Sequence, residues 1–219
     1  MAYWQLRSRR GMSAGAGVLL ALGAAACSSG SPDGLTVSGL HEKALAVPKG
    51  TLKACPLSYD VGKAAGKAKV SGSAALRPGP DSVTVDTPEN SDPGSAAKQN
   101  GATFVECDYR VGRDDVTVYT VGAENGHALE IVLPIIQRDG ELGRTGLESY
   151  DRTAGKAKPG TATLTSTGTV ATVRLPGSGK GNVVLVVSAA PSDQNADKPA
   201  IAATQLGKVA EELAAQTRW

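Results

Sequence analysis

The stretch Thr103-Phe104-Val105-Glu106-Cys107-Asp108-Tyr109-Arg110-Val111 decides how the rest of the chain reads. Val105, Cys107, Tyr109 and Val111 alternate with Glu106, Asp108 and Arg110. That period of two predicts a strand with one buried and one wet face. Residues 112–115 turn the chain into a second β-rich run, Val116 to Val121. Asn125-Gly126 reads as a hairpin turn, because both central residues of the favoured turn need positive φ. Residues 127–136, HALEIVLPII, fit a strand through Leu129, Ile131 and Leu133 but also a helix through Leu129, Val132, Leu133 and Ile136. A proline inside a helix costs about 3 kcal/mol, which favours a strand ending at Leu133 and a helical turn opening at Pro134.

Further along, residues 144–155 read as a polar helix, amphipathic through Leu147 and Tyr150 only. Residues 162–166, 169–175 and 182–188 are β-rich, and PGSGKG at 176–181 is a hairpin loop between the last two. NVVLVVS at 182–188 is apolar on both faces, as a central strand covered on each side should be. Past Pro199, Ile201, Leu206, Val209, Ala210 and Leu213 mark the inner face of a closing helix that ends near Gln216. Upstream, residues 83–87 form a short strand, and PENSDPGSAAKQNG at 88–101 is a polar, turn-rich loop. A helix is expected from Cys55-Pro56, with Leu57, Val61, Ala64, Ala65 and Ala68 on one face. Residues 35–49, broken by Gly39 and Pro48, read as an extended lead-in. This order predicts an α+β fold: a largely antiparallel sheet packed by an N-terminal and a C-terminal helix, as one domain over 51–219.

The first 26 residues have the grammar of an export signal. Arg7, Arg9 and Arg10 precede an apolar run, residues 14–26, that ends in small residues and is too short to span a bilayer comfortably. Leu22-Gly23-Ala24-Ala25-Ala26-Cys27 resembles a bacterial lipobox, with Ala24 where leucine is usual, so Cys27 is the expected lipid-attachment residue. Ser28-Ser29-Gly30-Ser31-Pro32-Asp33-Gly34 then reads as the start of a flexible tether over 27–50. The expected location is the extracytoplasmic face of the cell membrane. Ser8-Arg9-Arg10 leaves the export route open between a general and a twin-arginine signal.

Removing that signal takes three arginines from the 23 basic residues and none of the 21 acidic ones, so the remainder is close to neutral. No electrostatic footprint for nucleic acid remains. With Phe104 the single phenylalanine, stacking platforms for bases are missing too. Cys55 and Cys107 are an even pair in an exported chain, so a disulfide is expected, with two free thiols as the alternative. The only histidines, His41 and His127, stand at no metal-ligand spacing from a cysteine. No metal or cofactor is expected.

Catalytic motifs are few. There is no Gly-x-Ser-x-Gly, hence no nucleophile elbow. Ser95-Ala96-Ala97-Lys98 matches Ser-x-x-Lys but lies in the turn-rich loop with no Lys-Thr-Gly after it. The Gly-Lys pairs lack the flanking residues of a phosphate loop. Asp114, Asp115, Glu106 and Asp108 lack the regular spacing of a calcium loop and read as solvated charges. His127 reads as an exposed loop residue. No catalytic residue is assigned.

The signal, the Ser/Gly tether, Cys55-Pro56 and Cys107-Asp108-Tyr109 together resemble small envelope lipoproteins of actinobacteria. Those proteins often pair a Cys-Pro cysteine with a later Cys-x-Tyr strand. Their domains are commonly of unknown function or similar to the extracellular sensor domains of envelope kinases. The resemblance implies a binding or sensing module for a small ligand or an envelope protein, and carries over no catalytic residues. A hydrolase or transferase acting on envelope material is the other class to weigh, and a polar-lined pocket would favour it.

Overall fold

The computed structural model describes residues 34–47, 54–79, 81–177, 179–193 and 195–217, so Cys27 and the signal lie outside the described residues. Its frame is one antiparallel sheet of seven strands. These are β1 (Ala74–Leu76), β2 (Val83–Asp86), β3 (Ala102–Val111), β4 (Asp114–Ala123), β5 (Ala162–Leu164), β6 (Val170–Arg174) and β7 (Asn182–Pro191). The order is β1-β3-β4-β7-β6-β5, and β2 pairs with the part of β3 that β1 leaves free. The α+β class and the antiparallel sheet are as the alternation in 103–111 requires.

The hairpin β3–β4 sets the register for the rest. Val111 pairs with Asp114, leaving Gly112 and Arg113 as the turn. Gly112 takes φ +59, and a Cβ there would stand 2.7 Å from the Ser71 carbonyl oxygen, so only glycine fits. β4 then pairs along its whole length with β7, which is buried from Val183 to Ala189. It is the central strand that its two-sided apolar sequence predicts.

Helices cover both faces. On one lie α1 (Val37–Leu45), α2 (Val61–Lys67) and α6 (Ala203–Ala215), packed on Val105, Cys107, Tyr109, Val116, Val118, Leu185 and Val187. On the other lie α4 (Ala128–Asp139) and α5 (Arg144–Lys156), packed on Tyr119, Val121, Ala123, Val170, Val184 and Val186. The short α3 (Ala96–Asn100) lies inside the loop 88–101. All five apolar positions read for the closing helix, Ile201, Leu206, Val209, Ala210 and Leu213, are buried.

Four local expectations are corrected. The lead-in is not extended: α1 forms, its N-terminus capped by Thr36 Oγ1, which accepts from the Gly39 N–H at 3.0 Å. Val37, Leu40 and Ala44 fall on one buried stripe, so the described fold reaches back to residue 34. Next, the helix expected at Cys55-Pro56 starts only at Val61, because Asp60 caps it by accepting from the Lys63 N–H at 2.8 Å. Residues 55–60 instead make a turn, with Ser58 N–H donating to the Cys55 carbonyl, and still bury Leu57 and Tyr59. Val61, Ala64, Ala65 and Ala68 keep their inward face.

The third correction concerns Asn125-Gly126, which joins β4 to a helix and not to a strand. Asn125 Oδ1 accepts from the His127 N–H, and Asn182 Oδ1 accepts from the Ala128 N–H, both at 3.0 Å. These bonds satisfy donors that a helix N-terminus leaves open. Finally, residues 127–136 are neither strand nor a turn opening at Pro134, but a continuous helix through it. Leu129, Val132 and Ile136 are buried at helical spacing, whereas Glu130 and Pro134 are exposed. The Glu130 carbonyl that loses its N–H partner is therefore on the wet side, which lowers the cost of the proline.

Cys55 and Cys107 are bonded, their Cα atoms 5.8 Å apart. The bond ties the turn before α2 to the buried face of β3 across 52 positions of chain.

Candidate functional site

A convergence of polar side chains from separate elements lies where α1 crosses the end of the sheet. His41 stands one residue after Leu40, which is fully buried, so the helix that fills the core also aims an imidazole at its edge. His41 Nδ1 lies 3.0 Å from Thr103 Oγ1 on β3, and its Nε2 lies 3.4 Å from Glu89 Oε1 in the loop after β2. Glu42 of α1 and Glu124 after β4 line the same cavity of about 290 Å³, with Val37, Ser38 and Pro88. Four separate elements thus bring a hydroxyl, an imidazole and three carboxylates together.

The electrostatics are acidic. The Glu89 carboxyl is held below its ordinary range, chiefly by a hydrogen bond from its own backbone N–H, with His41 and Lys98 adding a smaller pull. Thr103 is 1% exposed and is held against the imidazole. The hydroxyl, imidazole and carboxylate stand in line, and the carboxylates around them suit a ligand that carries amines or hydroxyl donors.

A second groove, about 200 Å³, opens on the other face of the sheet between α3 and α4. Phe104, Ile135 and Ala97 give it an apolar lining, with Glu106 and Tyr119 beside them. Among the described residues no hydrogen bond or ion pair reaches the Glu106 carboxyl. Desolvation, and then the charge of Asp108, raises its proton affinity. Tyr119 is pushed up as well, first by burial and then by Asp139, while its hydroxyl accepts from Arg138 Nη2 at 3.1 Å.

The residues singled out in the sequence are placed as follows. Ser95 Oγ accepts from the Lys98 N–H at 3.1 Å, so Ser-x-x-Lys is the N-cap of α3 and not a nucleophile with its base. His127 precedes α4 with its ring exposed, 3.5 Å from Glu130. Asp114 is not a solvated charge: it is 1% exposed and accepts from the backbone N–H groups of Ala200 (2.9 Å) and Ile201 (2.7 Å), fixing the entry to α6. Asp108 accepts from Thr117 Oγ1, and Asp115 from Arg110 Nε. Glu106 is half-buried where an exposed charge was expected. No group of three or more His, Cys, Asp or Glu side chains among the described residues could hold a metal ion.

Sequence reasoning assigns His41 to no site, because Gly39 and Pro48 make its segment read as extended. The signal was present in Thr36, an N-cap residue, followed by apolar residues at 37, 40 and 44. No protein-family model matches the chain, and neither a curated protein nor a solved structure matches it.

Proposed function

We propose that this protein is a lipoprotein anchored through Cys27 to the extracytoplasmic face of the membrane, where its domain binds or senses an envelope ligand. The anchor reading is supported by the short apolar run ending at Cys27 before a Ser/Gly/Pro stretch. It fits the resemblance to actinobacterial envelope lipoproteins and to sensor-type domains of envelope kinases. The binding reading rests on the His41 groove, where donors and acceptors from four elements face one cavity. Amino sugars and diamines are the probes its carboxylates suit. Calorimetric titration of the chain with glucosamine and with putrescine tests it. Binding of one of them that weakens at least about tenfold in His41→Ala and Glu89→Gln supports the reading, since each lost charged hydrogen bond is of order 1.5–3 kcal/mol. No heat with either probe, or equal affinity in the variants, counts against it.

A second reading, an envelope hydrolase or transferase, is favoured by the Thr103–His41–Glu89 chain of contacts. Turnover of an acyl ester by the protein, abolished in Thr103→Val, would put this reading first.

A further inference from the structure

The end of the sheet where the described chain begins gathers several basic side chains. Gly34 packs so closely on the loop after β6 that a Cβ there would lie 1.8 Å from the Pro176 carbonyl oxygen. Leu35 and Thr36 line, with Pro159, Arg174 and Lys180, a shallow cavity of about 340 Å³ that has no acidic side chain in its lining. Arg174 Nη1 donates to the carbonyls of Gly155 (2.8 Å) and Ala157 (3.4 Å), which brings the C-terminus of α5, with Lys156 and Lys158, to the same place. Lys156, Lys158 and Lys180 are exposed, and among the described residues none of these four cations forms an ion pair.

We propose that this basic end, centred on Lys156, Lys158, Arg174 and Lys180, is the surface that rests on anionic phospholipid. The proposal builds on the anchor reading above. From Cys27 to Gly34 is seven residues, a reach of at most about 25 Å when fully extended, so an acylated Cys27 keeps the bilayer close to this end. Clustered lysines and arginines beside a bilayer are drawn to its anionic lipids. The acidic rim of the His41 groove (Glu42, Glu89, Glu124) adjoins the patch on the β3–β4 side. A negative surface repels that rim, so the domain tips onto its basic half and holds the groove open to the aqueous side. Asp33, the single acidic residue of the tether, lowers the attraction without reversing it.

The test uses the full chain, natively processed and reconstituted in phosphatidylcholine vesicles with or without phosphatidylglycerol. A membrane-impermeant amine reagent is added and labelling is read lysine by lysine by mass spectrometry. Lys198 is the internal control, because it sits beside Pro191 at the far end of β7, roughly 30 Å from Asn182. Phosphatidylglycerol should lower labelling of Lys156, Lys158 and Lys180 by about threefold or more and leave Lys198 unchanged. The double variant Lys156→Glu/Lys180→Glu should lose the protection at Lys158. Labelling that does not depend on lipid charge, with Cys27 acylated in the same digest, overturns the basic-face proposal and leaves the anchor standing. An unmodified Cys27 overturns the anchor and this proposal with it.

Discussion

The two faces of the sheet are built on different principles. On the disulfide face, α1, α2 and α6 cover a continuous apolar layer that runs from Leu35 to Leu213. On the other, α4 and α5 cover Tyr119, Val121, Ala123, Val184 and Val186, and beyond them the face turns polar. There Thr117 donates to Asp108, Arg110 to Asp115, and Arg77 lies 3.8 Å from Asp115. The disulfide face thus carries most of the fold, with the His41 groove only at its edge, where α1 crosses the end of the sheet. The other keeps a wet strip, and with it the Glu106 groove. A strand such as β3, apolar at odd positions and charged at even ones, can serve both ends at once.

That contrast can be broken most directly at the disulfide. Closing a loop of 52 positions restricts the unfolded chain by roughly 4 kcal/mol in the entropy model, a large share of the ~5–15 kcal/mol available to a domain. Cys55→Ser and Cys107→Ser should each lower the melting temperature sharply, and the double variant should be no worse than the poorer single. Additive losses would show that the thiols act separately.

The place of α1 on this face is tested by Leu40→Ala. Leu40 is fully buried, and Gly122 lacks the side chain that would collide with it, since a Cβ at Gly122 would stand 3.0 Å from Leu40 Cδ2. Truncation should cost about 3 kcal/mol in denaturant unfolding; a cost near zero would return this segment to the tether. Asp114→Ala strips the acceptor from two buried N–H groups at the entry to α6 and should cost about 1–3 kcal/mol, whereas Asp115→Ala, on the wet strip, should change little.

On the opposite face the expected effects are smaller and of opposite sign. Pro134→Ala restores a donor to the Glu130 carbonyl and should raise stability by up to about 1 kcal/mol, well short of the full helix-interior penalty because the site is exposed. The smallest effect belongs to Glu106. Its carboxyl binds protons more tightly in the folded chain than in the unfolded one, so it withdraws stability as pH rises from the ordinary carboxylate value through its raised one. Glu106→Gln should therefore be slightly more stable than the parent at pH 7 and no more stable at pH 4. A variant destabilised at neutral pH would mean that the charge has a partner in the fold.

What was legible in the sequence followed from short-range period. Alternation over 103–111, the two-sided apolar run of 182–188 and the stripe from Ile201 to Leu213 dictated an antiparallel sheet, its central strand and its closing helix. Those patterns need only the local geometry of strand or helix to be read. Cys55 and Cys107, an even pair in a chain that reads as exported, point to the bond that the fold makes. The remainder was decided at long range. Pro134 forbids a helix by local rule, yet α4 forms because its other positions bury Leu129, Val132 and Ile136 against β4 and β7 and turn the proline outward. Residues 37–45 are too short a stretch to hold a helix alone, and are held as one by packing, with Leu40 seated beside Gly122. Glu89, Thr103 and Glu124 are far from His41 along the chain, so no spacing could announce the groove. Only the folding of α1 across the end of β3 brings the four together, because packing of an apolar stripe fixes where its polar neighbours must point.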